Sequence, residues 1–284
     1  MKLDVLRSWQ FKDIHRTYGD PETILYALGI GLGSRYTDPD ELRFVTERDL
    51  CALPTMNAVV AKLEVRQCLQ AAEVDTVEAF HGEQRSVFDR VLPGRGSVVG
   101  KGRVLNIWDK GPGRGTLIDF EQEVFDAESG QRYCLLRSLV FCRRDGGYGG
   151  DPGGPAKLPP VPDSPPDTIF DFPTLPQASL IYRQSGDRNP LHSDPEVARQ
   201  AGFPRPILHG YLSYGVAGWA IMRSYLDCHP GRLAALDCRF AAPAFPGETL
   251  RTEMWRSGND VHYQVRALER DVIAISNGRA LLRD

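Results

Sequence analysis

Apolar residues recur at every second position through residues 97–108, 115–125 and 133–142, and again through 233–240, 249–255, 261–268 and 272–282. That period belongs to strands with one face against a core and the other toward solvent. Turn clusters separate the runs, and KGPGRG at 110–115 has the glycines of a hairpin turn. Between the two sets of strands lies DGGYGGDPGGPAKLPPVPDSPP at 145–166, where glycine and then proline exclude a helix interior or a central strand. The pattern predicts two strand-rich units, residues 1–145 and 166–284, joined by a Gly/Pro-rich linker at 146–165. A chain of 284 residues is long enough for two such cores.

The two units echo one another. An apolar segment with a tyrosine precedes the strands in each, ILYALG at 24–29 and LIYRQSG at 180–186, and Leu92-Pro93-Gly94 recurs as Phe245-Pro246-Gly247 in the same order. This order implies a duplicated α+β unit. Aligned on Tyr26 and Tyr182, the copies set Gly31 against Asp187, so only the second carries the acid. Residues 211–226 (YLSYGVAGWAIMRSYL) have no counterpart in the first unit and are apolar nearly all round, which predicts a buried helix. A glycine inside a helix costs about 1 kcal/mol against alanine. Close approach to a curved sheet is therefore the expected reason for Gly215 and Gly218. Gly29, Gly31 and Gly33 follow a helical pattern and lack the spacing of a dinucleotide loop, so they predict a helix end.

Composition narrows the partners. A formal net charge of -3 with 25% charged residues leaves no basic field for nucleic acid or an anionic membrane. No apolar run reaches the ~18 residues of a membrane span, and MKLDVLRSWQ does not read as a signal peptide. Cys51, Cys68, Cys134, Cys142, Cys228 and Cys238 form no CxxC pair, and several sit in apolar runs where a reduced thiol packs as a small hydrophobe. The expectation is a soluble cytoplasmic protein.

The chemistry concentrates in residues 182–215, YRQSGDRNPLHSDPEVARQAGFPRPILHGYLSYG, which set Asp187, Asn189, His192, Asp194 and His209 among turn-forming Gly and Pro just before the buried helix. Polar groups on a constrained loop at the mouth of an apolar core make a candidate site. This stretch resembles the MaoC-like, hydratase 2 type of (R)-specific enoyl-CoA hydratases, whose signature Y-R-x-S-G-D-x-N-P-L-H-x-D-P followed by G-F-x-x-P-I-L-H-G it matches almost continuously. A weaker likeness covers the first unit through YALGIG, LRFV at 42–45, LPT at 53–55, HGEQ at 81–84 and GGYGG at 146–150.

The resemblance implies an α+β double hotdog, two antiparallel sheets each packed on a central helix, with a shorter or degenerate N-terminal copy that shapes the acyl pocket and a C-terminal copy that carries the catalysis. It implies reversible hydration of a trans-2-enoyl-CoA to an (R)-3-hydroxyacyl-CoA, with the CoA thioester as substrate and no cofactor. Asp187 and His192 would be the catalytic pair, Asn189 their support, and the Gly210 N–H the oxyanion donor. Such hydration needs a base to activate water for attack at C3, an acid to protonate C2, and donors for the enolate-like oxygen. Gly210 suits the last role because it has no Cβ and its N–H is free at the positive end of a helix. Gln184 and Tyr211 depart from the family pattern, and Tyr211 adjoins Gly210. The expected partner is acyl-CoA, with no nucleic acid and no membrane; a homodimer stays open beside the pseudo-dimer that duplication supplies.

Other readings of these residues fit the pattern less well. Asp194 before Pro195 reads as a helix cap, and His209 as structural. Asp187, His192 and His209 lack a recognised metal-ligand spacing. His81-Gly82-Glu83 has no partner motif and is assigned to a loop. A hotdog thioesterase would carry an acid on or beside the central helix, and residues 211–226 contain none. A non-catalytic acyl-thioester-binding protein would have no need of the intact Asp187, Asn189, His192 set.

Overall fold

In the computed structural model, which describes residues 1–284, the strands are β1 (Ile14–Tyr18), β2 (Ala79–Phe88), β3 (Gly96–Asp109), β4 (Thr116–Asp126), β5 (Arg132–Cys142), β6 (Thr168–Pro173), β7 (Leu233–Phe240), β8 (Thr249–Ser257), β9 (Asp260–Ala267) and β10 (Val272–Leu282). They lie in the order β1-β3-β4-β5-β2-β7-β10-β9-β8-β6. The first half runs 1-3-4-5-2 and the second 6-8-9-10-7, the same topology twice, as the sequence echoes imply. The LPG and FPG turns fall at equivalent places, after β2 and after β7.

The two antiparallel sheets expected from the resemblance are present, but fused. Strands β2 and β7 pair from Glu83↔Arg239 to Val87↔Ala235, giving one ten-stranded sheet. Pairing the two strands at the seam satisfies backbone N–H and C=O groups that separate sheets would leave as open edges. Strand β9 shows the alternation most clearly, with Val261, Tyr263, Val265 and Ala267 buried and the residues between them only partly so.

The helices are α1 (Leu3–Ser8), α2 (Asp20–Ile30), α3 (Pro39–Val45), α4 (Asn57–Val60), α5 (Val65–Ala71), α6 (Ala178–Tyr182), α7 (Pro195–Gln200) and α8 (Gly210–Tyr225). Every residue of α8 from Leu212 to Met222 is buried, as its all-round apolar pattern predicts. At the corresponding point in the first half there is only a short 3-10 turn, Pro54–Met56, running into the four-residue α4. Helices α2 and α6 are the paired copies, with the Tyr26 and Tyr182 rings 6.0 Å apart.

The reason for the α8 glycines differs in part from expectation. A Cβ on Gly215 would lie 2.8 Å from Ile30 Cγ2 and 3.2 Å from Tyr26 Oη, so it is α2 of the other copy that approaches, not the sheet. A Cβ on Gly218 would meet Thr55 Cγ2 at 2.9 Å and Leu236 of β7 at 3.3 Å, which is a sheet contact only in part. A single core of 47 buried residues draws on both halves, and a second of nine lies between α1, α5 and strands β4 and β5.

The Gly/Pro-rich segment has no helix or strand between Cys142 and Thr168, yet it is tied down. The Asp109 carboxylate accepts N–H bonds from Gly111, Gly147, Gly149 and Gly150 at 2.7–3.3 Å. Farther along, Arg85 donates to Ala156 O, Asn277 to Leu158 O and Pro159 O, and Trp255 Nε1 to Ser164 O. Arg85 and Trp255 alternate with the core-facing residues of β2 and β8, so the segment straps the outer face of the sheet across both halves.

Candidate active site

Helix α2 ends at Gly31 (φ +108°), and the turn that continues α6 ends at Gly186 (φ +112°), each in the left-handed conformation that glycine adopts freely. Matching the caps instead of the tyrosines sets Leu32 opposite Asp187, so on either alignment the first copy has no acid there. Immediately after Gly186, the Asp187 Oδ1 accepts the Asn189 N–H at 3.3 Å. Asn189 in turn caps the Pro190–His192 turn by accepting the Leu191 N–H at 3.1 Å. This chain of local bonds fixes the loop that carries the imidazole of His192.

His192 Nδ1 lies 3.0 Å from Ile207 O, and His209 Nε2 lies 3.1 Å from Asp187 O. A carbonyl oxygen only accepts, so each of those nitrogens carries the hydrogen. The remaining nitrogen of His192, Nε2, then holds a lone pair and has no protein partner. The two imidazoles stack at 3.8 Å, and polar atoms of Asp187, His192 and His209 lie within 4.8 Å of one another. Their bonds to Lys62 and to the two carbonyls make them a hydrogen-bonded set more than three free metal donors.

Asp187, Asn189, His192 and Gly210 all line one cavity of about 490 Å³. His209 stacks on His192, precedes the first residue of α8 without a side-chain capping bond, and does not line the cavity, in keeping with a structural role. Asp194 accepts the Glu196 and Val197 N–H groups and caps α7, as expected. Gly210 is the first residue of α8, where its N–H has no intrahelical acceptor. A Cβ there would press on the Phe240 ring at 3.2 Å.

Two residues at the site were missed by sequence reasoning. His81 lies in β2, not in a loop, with its ring 4.8 Å from that of Tyr211 and 4.7 Å from that of Phe240 and its Nε2 enclosed without a partner. Lys62, just beyond α4, places Nζ 2.7 Å from Asp187 Oδ2 across the joint between the halves. HGEQ was visible as a motif; nothing in the sequence links Lys62 to Asp187.

Burial works against charge throughout the site. It pushes the Asp187 carboxyl up, but the Lys62 ammonium, with His209 and His192 adding to its effect, more than reverses this and holds Asp187 well below the usual carboxylate range. Burial lowers His192 against the pull of Asp187, lowers His209 to about 3 with help from His192, and lowers His81 to about 4 with help from Lys62. At neutral pH the site therefore holds an ionised carboxylate beside neutral imidazoles.

The far walls of the cavity come from the first half, with Ala58, Leu63 and Val65 around the short helices and Phe120 and Val140 from the sheet. The near wall, Phe203, Ile207 and Ala244, comes from the second. Fold and site together define a double hotdog with one carboxylate–imidazole cluster at the mouth of an apolar cavity. The family description "MaoC like domain" matches residues 157–278, and "MFE-2 hydratase 2 N-terminal domain" matches residues 17–144. The chain is 35% identical to the peroxisomal enoyl-CoA hydratase 2 of Arabidopsis thaliana, over 94% of this chain and 91% of that one. A crystal structure of a MaoC-like dehydratase from Phytophthora capsici superposes with a TM-score of 0.86 at 28% identity, covering 100% of this chain and 99% of that one. At 16% identity, a Mycobacterium tuberculosis protein described as a double hotdog fold shares the architecture, with a TM-score of 0.63 over 97% of each chain. The protein belongs to the MaoC-like, hydratase 2 family.

Proposed function

We propose that the protein is a hydro-lyase that adds water reversibly across the double bond of a trans-2-enoyl-CoA to give an (R)-3-hydroxyacyl-CoA. One observation carries the reading: an ionised carboxylate, Asp187, and a neutral imidazole with an unpartnered Nε2, His192, share a cavity with the free N–H of Gly210. Asp187 and His192 hold one water between them and accept its proton as its oxygen bonds to C3. The electrons of the double bond move onto the thioester oxygen, where the Gly210 N–H meets the developing charge. Return of a proton to C2 completes the addition of one water. Asn189 holds the loop that aims both groups.

The R configuration and the CoA carrier are supported by family membership and by the plant relative, itself named an enoyl-CoA hydratase. In this reading residues 1–145 shape the acyl pocket, supported by the shortness of α4 and the apolar residues it leaves around the cavity. Both walls of the cavity come from one chain, so a second copy is not needed to complete the site, and a homodimer would be an addition to it. A cytoplasmic location accords with six unpaired cysteines, five of them buried. No helix is long and apolar enough to cross a membrane.

Asp187→Asn and His192→Gln test the assignment. Each should lower hydration of a trans-2-enoyl-CoA by about 10²- to 10⁴-fold, the usual contribution of acid–base catalysis, with an unchanged circular dichroism spectrum. Loss of enoyl absorbance without release of free thiol separates hydration from thioester hydrolysis. Near-normal turnover in a folded Asp187→Asn protein would overturn the assignment.

A further inference from the structure

We propose that Lys62 is a positioning residue that sets the protonation state of the catalytic pair, so that the first hotdog copy takes part in catalysis and does more than shape a pocket. The inference rests on the acid–base reading of Asp187 and His192. Its basis is geometric. Helix α4 stops after four residues, and the chain then turns Lys62 into the cavity, where its Nζ meets Asp187 Oδ2 at 2.7 Å. This is an ion pair between residues 125 positions apart, joining the halves at the candidate site itself.

The titratable groups around Asp187 are Lys62 from the segment after α4, His81 from β2, His192 and His209 from the loops before α8, and Tyr182 and Tyr211. The three imidazoles are lowered by burial and stay uncharged at neutral pH, and the two phenols are raised by it. Arg143 also lines the cavity but makes no ion pair with Asp187, so Lys62 is the cation in contact with this largely enclosed carboxyl. The same charge disfavours protonation of His192. The ammonium thus holds Asp187 ionised and adds to the burial that keeps His192 neutral, and its hydrogen bond on Oδ2 leaves Oδ1 to the loop N–H and the cavity.

The test compares kcat/KM against pH for the full-length wild type, Lys62→Met and Lys62→Arg with a trans-2-enoyl-CoA, across the range in which circular dichroism shows each protein folded. Lys62→Met should move the acid limb upward by about one pH unit, so that kcat/KM falls by about tenfold on that limb and much less at neutral pH, with KM changed less. Lys62→Arg, which keeps the charge, should return the limb to its wild-type place. Lys62→Met with an unchanged pH profile and only a raised KM would overturn the inference, leaving Lys62 as pocket lining. Loss of activity at every pH would also overturn it, since Lys62 would then act on the reacting atoms directly. Asp187→Asn, assayed alongside, separates the two levels: an active Asp187→Asn protein sinks the acid–base reading itself, whereas an inactive one with an unmoved Lys62→Met profile sinks only the role of Lys62.

Discussion

Acidification from pH 7 to pH 5 should destabilise this fold through its buried imidazoles, against the opposing effect of Asp237, whose carboxyl burial raises to about 6, and His81 should account for a definable share of the loss. Its ring is enclosed between Tyr211 and Phe240 on β2, and burial, aided by the nearby charge of Lys62, lowers it from an ordinary 6.5 to about 4. The unfolded chain binds a proton at this residue below pH 6.5, whereas the folded chain does not until about pH 4. The associated stability is therefore complete above 6.5 and drains away as the pH falls between those values. At pH 5 the gap of about 1.5 units amounts to about 2 kcal/mol. Part of the ring faces the cavity, so a measured share of about 1 to 2 kcal/mol is expected. His209 and His192 are displaced in the same direction and add to the total. Urea unfolding of the wild type and His81→Gln at pH 7 and pH 5 isolates the term, because any fixed penalty of the substitution cancels in the comparison. The variant should lose about 1 to 2 kcal/mol less than the wild type on acidification. Equal losses in the two proteins would refute the reasoning.

Three other outcomes follow from the packing. Gly215→Ala should lower the melting temperature by a few degrees, because overpacking against Ile30 and Tyr26 costs about 1 to 3 kcal/mol and outweighs the ~1 kcal/mol gained in helix propensity; a rise in melting temperature would show that α2 yields readily. Asp109→Ala should leave four glycine N–H groups without their acceptor, so limited proteolysis should nick residues 146–165 faster than in the wild type while hydration activity persists. Residues 166–284 expressed alone should self-associate on size-exclusion chromatography, since β7 loses its pairing with β2 and the buried α8 loses its seat on α2; a stable monomer would contradict this.

Most of the candidate site was legible because it is local. Asp187, Asn189, His192 and Gly210 fall within 24 residues, and their spacing is set by backbone turns that leave a mark in Gly and Pro. Seven of the ten strands were equally visible as alternating runs. The three that were missed had physical reasons to hide. Strand β2 sits at the seam and buries Gln84 and Ser86, which bond to Ser138, Tyr211 and Tyr214, so polar residues occupy positions where the period demands apolar ones. Strands β1 and β6 lie at the two edges of the sheet, and β1 buries only Tyr18. His81 was lost along with β2. Lys62 was lost because its partner is distant in sequence and joined to it only by the folding of one half on the other.

The cavity explains why such a departure from symmetry is tolerable. A dry, sealed void costs about 24 cal/mol per Å³, which for 490 Å³ would come to about 12 kcal/mol, comparable to the entire stability of a typical domain. A fold that simply dropped the counterpart of α8 from its first half would not survive that term. Two features limit it. Helices α1 and α5 close over β4 and β5 with Leu6, Cys68, Leu69 and Ala72 against Ile118, Phe120 and Val140, giving the first half a small second core. The cavity that persists is lined by Lys62, His81, Ser138, Asn189 and His192 among its apolar walls, and polar groups of that kind allow water to fill it when no acyl chain does. The groups that let water fill the empty pocket thus include Lys62, Asn189 and His192, which are proposed to take part in its chemistry, so removing Lys62 should disturb stability and turnover together, whereas exchanges among Leu63, Val65 and Val140 should alter which acyl chains fit while leaving Asp187 and His192 in place.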